Sequence, residues 1–190
     1  VKFWQRRRAR SIVMVENKIP HRIEEVYGDN FVGVGVVLDA KEGLVAVERD
    51  TIPISLGATQ IMFYGKDKVP ADIVWVHPQH NIALIKYNPA LVSKSPVRSV
   101  KWAHQWKKPP RFARIVSFNR SREFDSGVVL GRETDAFYIS MPRNPHFRQT
   151  NLDLWTPEGS SPDLGGVVMT RWGRFQGMMV NFPDLSDEDQ

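Results

Sequence analysis

The chain has 190 residues, 42% hydrophobic and 25% charged, a composition that suits a globular protein with a core of its own. Its longest unbroken stretch of apolar residues and glycine, residues 31–38, is too short to cross a bilayer as a helix, and the lack of cysteine excludes disulfides and thiolate metal sites. The net charge of +5 is concentrated at one end: Lys2, Arg6, Arg7, Arg8 and Arg10 hold five of the 26 basic residues and leave 21 against 21 acidic ones.

That basic segment, 1–10, comes first in chain order. It fits an import signal or a nucleic-acid patch, and it fits a solvated linker equally well. No aromatic-lined basic groove follows it, so nucleic acid is not the expected partner. Only four apolar residues come after it, which is not a signal peptide, and a chain opening on Val1 reads as a segment of something longer. No membrane partner is expected.

Short β-branched and aromatic runs then dominate: 11–15, 31–39, 43–48, 60–64, 71–76 and 81–87, followed by 112–118, 126–131, 137–141, 165–170 and 175–182. Turn formers such as Gly28-Asp29-Asn30 and Trp172-Gly173 separate them. No apolar stripe of helical period lasts three turns, apart from a turn or two in 88–106. The pattern is all-β, in closed barrels or a sandwich. Residues 102–111, with Lys107-Lys108-Pro109-Pro110, cannot continue a central strand and divide a first lobe, 11–101, from a second, 112–183. The acidic end, 184–190, is expected to be mobile.

Four stretches resemble the HtrA/Deg serine proteases. GVGVVLDAKEGLVAV (33–47) is similar to the hairpin before that family's catalytic histidine, and HPQHNIALIKY (77–87) to the segment supplying its aspartate. FDSGVVLGRE (124–133) is similar to the first hairpin of its second barrel. LGGVVMTRWGRFQGM (164–178) is similar to the hairpin that carries the serine and ends in the substrate-pairing strand. The longer run 43–91 is similar to the degenerate second protease-like domain of the large tandem members, found in a fungal nuclear, pro-apoptotic branch and a plant chloroplast branch. The resemblance implies a chymotrypsin-like (trypsin-like) double β-barrel of two lobes, about six antiparallel strands each. It also implies a parent with an active protease domain and PDZ-like modules.

A Ser-His-Asp hydrolase needs an imidazole base, a carboxylate to orient it, a nucleophilic hydroxyl and two N–H donors for the oxyanion. The resemblance lays the histidine position on or beside Asp50, the aspartate position on Asn81 and the nucleophile position on Leu164. It lays one oxyanion donor on Pro162, which has no N–H. The implied reading is a catalytically inactive domain, not itself an enzyme, serving an active protease domain by scaffolding, regulation or peptide docking.

The strand Gly177, Met178, Met179, Val180 and Asn181 corresponds to the one that pairs with an extended peptide. Alternatives are a relocated nucleophile at Ser160 or Ser161, which also suit a turn, and a basic nucleic-acid-binding module. His77 and His80 have the interval of a metal pair, but no Cys or carboxylate cluster accompanies them; no metal and no cofactor are expected. Gly33 and Gly35 read as close packing on one strand, Gly165-Gly166 as the tight backbone around the lost nucleophile, and Met178 and Met179 as core filler. Expected partners are the other domains of the parent, an extended peptide or protein substrate, and a second copy of the chain. The basic run favours a nuclear location; the plant-like branch would place it in the chloroplast.

Overall fold

The computed structural model describes residues 10–21, 26, 28–63, 67–78, 80–93, 96–103, 112–118, 124–133, 155–158, 164–170 and 172–179. Six strands, β1 (Ile12–Lys18), β2 (Asn30–Asp39), β3 (Leu44–Val47), β4 (Ala58–Phe63), β5 (Asp67–Val76) and β6 (Ala83–Tyr87), close into an antiparallel barrel. Their order is β1-β2-β3-β6-β5-β4, and β4 pairs back onto β1 with Val15 opposite Ile61. A second sheet holds β7 (Phe112–Phe118), β8 (Phe124–Glu133), β9 (Trp155–Glu158), β10 (Gly166–Met169) and β11 (Phe175–Met179), in the order β11-β10-β7-β8-β9.

The apolar runs lack a two-residue alternation because both faces of several barrel strands are buried. From β1, Val13 and Val15 point into the barrel with Val37, Val45, Val47, Ile61 and Ile85. Ile12 and Met14 point outward and pack with Val34, Val36 and Ala46 against Val116, Phe118, Val167, Met169 and Phe175 of the second sheet. Each such side chain taken out of water stabilises the fold by about 1.5–3 kcal/mol. Gly35 is a packing glycine: a Cβ there would stand 2.9 Å from Val45 and 3.0 Å from Val15.

A strap over residues 98–103 ties the two sheets together. The Arg98 N–H donates to Arg10 O, Val100 N–H to Val37 O, Phe175 N–H to Lys101 O and Ala103 N–H to Phe175 O, all at 2.7–2.9 Å. Trp102 lies edge-on to Phe175 with ring centroids 5.0 Å apart.

Two differences from the sequence expectations have physical reasons, and other expectations fall outside the described residues. Residues 155–158 carry Pro157 and are not expected as a strand; among the described residues β9 lies at the edge of the sheet, where proline is tolerated. The expected strand 137–141 lies outside the described residues, as do the basic segment 1–9 and the acidic end 184–190. Of the helical turns expected in 88–106, the described residues show one 3-10 turn, Pro89–Leu91, where Asn88 Oδ1 accepts from the Ala90 N–H at 3.0 Å. Among the described residues, no helix is long and apolar enough to cross a membrane.

Candidate functional site

β3 ends at Val47 and the chain turns through Glu48 into a 3-10 turn, Arg49–Thr51. Asn81 stands just before β6, which pairs with β3 through Val47 and Ala83, so β3–β6 pairing brings residues 48–50 and 81 together. Asn81 is only 1% exposed. Its Nδ2 donates to Glu48 Oε1 and to Asp50 Oδ2, both at 2.9 Å, and its Oδ1 accepts from the Asp50 N–H at 3.0 Å. One amide thus satisfies two carboxylates and one backbone donor. Buried polar groups require such pairing, and an amide supplies both a two-proton donor and an acceptor without adding charge.

Leu164 approaches from the other sheet. It is half-buried against the inter-sheet apolar cluster. Its neighbour Gly165 has φ +72, in the left-handed region, and a Cβ there would lie 3.3 Å from Glu48 Oε2. The Ser117 hydroxyl, buried on β7, donates to Gly165 O at 2.6 Å and pins that turn. The structure therefore joins Asp50 to Asn81 directly and brings the Leu164-Gly165 corner to the same place through Glu48.

Glu48 and Ser117 are the site residues that sequence reasoning missed. The available signal for Glu48 was a carboxylate ending a wholly apolar strand, which demands a partner once buried. Ser117 carried none, because its partner lies 48 residues away.

His77 and His80 sit beside this cluster. The loop is closed by His77 N–H to Ile82 O at 2.9 Å and Ile82 N–H to His80 O at 2.8 Å. The Arg49 guanidinium donates to His77 O at 2.9 Å, and His77 Nδ1 accepts the His80 N–H at 2.9 Å. Burial, with His80 and Arg49 nearby, holds the His77 imidazolium below the ordinary histidine range. Burial likewise lowers Arg49, partly countered by Asp50. Among the described residues, no group of three or more His, Cys, Asp or Glu is arranged to hold a metal ion.

Among the described residues, β11 is an edge strand of the second sheet. Its Phe175 end is covered by the strap, while Gly177, opposite Val168 of β10, has nothing within 4 Å of where a Cβ would stand. Met178 packs against the inter-sheet cluster and Met179 beside Ile115 and Val168, both half-buried. Of the residues named from the sequence, Ser160, Ser161, Pro162, Val180 and Asn181 lie outside the described residues.

In chemical terms, Asn81 exchanges no proton near neutral pH and Leu164 offers no heteroatom; the proton-accepting groups of the cluster are the carboxylates of Glu48 and Asp50.

No family model matches the chain. Over 178 residues, 91% of its length, it is 31% identical to the pro-apoptotic serine protease nma111 of Neosartorya fischeri. It is 32% identical over the same share to the protein of that name from Aspergillus clavatus. The chain spans 17% of the length of these curated relatives. Among solved structures it resembles the active form of the Rv3671c protease from M. tuberculosis, with TM-score 0.67 and 14% identity, over 95% of this chain and 74% of that one. It also resembles Deg5, with TM-score 0.62 and 14% identity, over 91% and 80%. The fold is therefore the trypsin-like one that the motifs implied.

One expectation is corrected. The sequence reading took the chain as not itself an enzyme; the relatives that align with nine tenths of it are named serine proteases, and they point to an enzyme.

Proposed function

Because this chain is a homologue of the HtrA-type serine proteases, we propose that it is a trypsin-like domain of such an enzyme and serves proteolysis by docking an extended peptide along β11. In this reading Asp50, Asn81 and Leu164 occupy the degenerate triad positions, and they give the groove an acidic, hydrogen-bonded wall with an apolar floor. The other domains of the parent protein are its working partners.

The observation that carries the proposal is, among the described residues, the edge position of β11 together with the open space over Gly177. An edge strand offers unpaired main-chain donors and acceptors that an extended peptide satisfies, and the open face of the sheet at Gly177 leaves room for that peptide's side chains.

The test is binding of a fluorescein-labelled unfolded casein to the purified chain. Gly177→Glu places a carboxylate in open space without a clash, so the fold persists while the docking lane is blocked. Binding that falls about tenfold or more in this variant, about 1.4 kcal/mol, supports the reading. Equal binding by both proteins, or none by either, overturns it. Labelling of the chain by a fluorophosphonate would instead locate a reactive hydroxyl.

A further inference from the structure

Asn81 does not hold its place by its own bonds alone. It belongs to the short loop between β5 and β6, and that loop is shaped by the His77 side chain. The His80 backbone N–H donates to His77 Nδ1 at 2.9 Å. Such a bond needs a lone pair on Nδ1, so it selects the neutral tautomer with its proton on Nε2. A second proton would occupy Nδ1 and set two donors face to face.

The same proton would also add a positive charge beside Arg49. The Arg49 Nη1 clasps the loop by donating to His77 O at 2.9 Å. Protonation of His77 therefore removes one loop bond and opposes the cation that makes another. The charged and titratable groups facing His77 are Arg49 from the 3-10 turn, with Asp50 next to it, and His80 across the loop with ring centroids 4.3 Å apart. From β5 the neighbour is the uncharged Trp75 ring, at 4.9 Å.

We propose that His77 is a positioning residue for Asn81, acting as a proton-operated latch: neutral, it holds the 77–82 loop against Arg49 and Asp50, and charged, it releases Asn81 from Glu48 and Asp50. The depressed imidazolium agrees in sign. A histidine whose folded pKa lies below its unfolded value of about 6.5 gives stability that is complete above that pH and is lost as pH falls through the folded value. The latch shapes the barrel side of the site that the docking proposal uses, but the bonds that define it do not depend on a peptide.

The experiment is nitrogen-15 NMR of the whole chain between about pH 7.5 and about pH 5. Expected at the upper end is a His77 ring protonated on Nε2 and bare on Nδ1. On acidification the His80 backbone amide and the Asn81 side-chain amide should shift with the His77 midpoint, which lies below the ordinary histidine value. In His77→Asn, an amide oxygen replaces Nδ1 as acceptor and does not titrate; the His80 and Asn81 signals should then stay in their neutral-pH positions. A proton on Nδ1 at neutral pH, amide signals that ignore the His77 midpoint, or a response surviving in His77→Asn would each overturn the latch.

If His77→Asn fails to fold, the tautomer and the shared midpoint of the unaltered chain decide. Casein binding measured on the same samples separates the two proposals: docking that is absent at every pH sinks the docking reading alone.

Discussion

Asn81 shows how much one buried amide can hold. Replacing it with aspartate removes both donors and sets a third carboxylate against Glu48 and Asp50. Breaking a buried, charge-assisted network in this way costs about 3 kcal/mol or more. Urea unfolding of Asn81→Asp at pH 7 should show that loss, and it should shrink in acid as protonation relieves the repulsion. Gly165 is constrained in two ways, by φ +72 and by Glu48 Oε2 over its Cα, so Gly165→Ala should cost about 1–3 kcal/mol in the same measurement.

Tyr87 makes a pH prediction of its own. Among the described residues its buried hydroxyl has no hydrogen-bond partner, and burial with Asp39 nearby pushes its pKa up to about 12. The unfolded value is about 10, so the stability this group contributes is complete below about pH 10 and is lost as pH rises through the folded value. Tyr87→Phe should abolish that alkaline loss and leave stability at pH 7 equal or about 1 kcal/mol higher, as thermal unfolding would read.

β10 is the element through which the two sheets depend on each other. Its four residues, Gly166–Met169, are all buried; Val167 and Met169 face the barrel while Val168 faces Ile115 and Met179. Met169→Ala leaves a void between the sheets and should destabilise by about 2–5 kcal/mol in urea unfolding. The strand was legible in the sequence from its β-branched run after paired glycines, and so were β2, β3, β6 and β7. β9 was not, because Pro157 argues against a strand unless the segment is known to lie at an edge, and edge position is a property of the sheet. The extended length of β5, which begins at Asp67 and bulges between Ile73 and Trp75, was also hidden: Pro70 sits within it, and the bulge leaves Val74 and the 43% exposed Trp75 facing outward.

The described residues form a barrel and a sheet that share an apolar layer and the strap 98–103. Because that layer draws side chains from both, unfolding of one sheet exposes the other. Tryptophan fluorescence and far-ultraviolet circular dichroism should report coincident urea transitions, and Met169→Ala should shift both together. Separate transitions would mean that the shared layer is not the main tie.

Local chemistry was enough to give most of the strands and turns and the motif likeness to HtrA/Deg proteases, because β-branched runs and left-handed glycines act over a few residues. The family resemblance, not local chemistry, singled out Asp50, Asn81 and Leu164; the structure puts Asp50 and Asn81 in hydrogen-bond contact. Local chemistry could not supply Glu48 as their link, Ser117 as the anchor of Gly165, or His77 as the support of the loop. Glu48 meets Asn81 through the pairing of β3 with β6, and Ser117 meets Gly165, 48 positions away, through the pairing of β7 with β10. The His77–His80 bond is local, but it exists only in the folded shape of its loop.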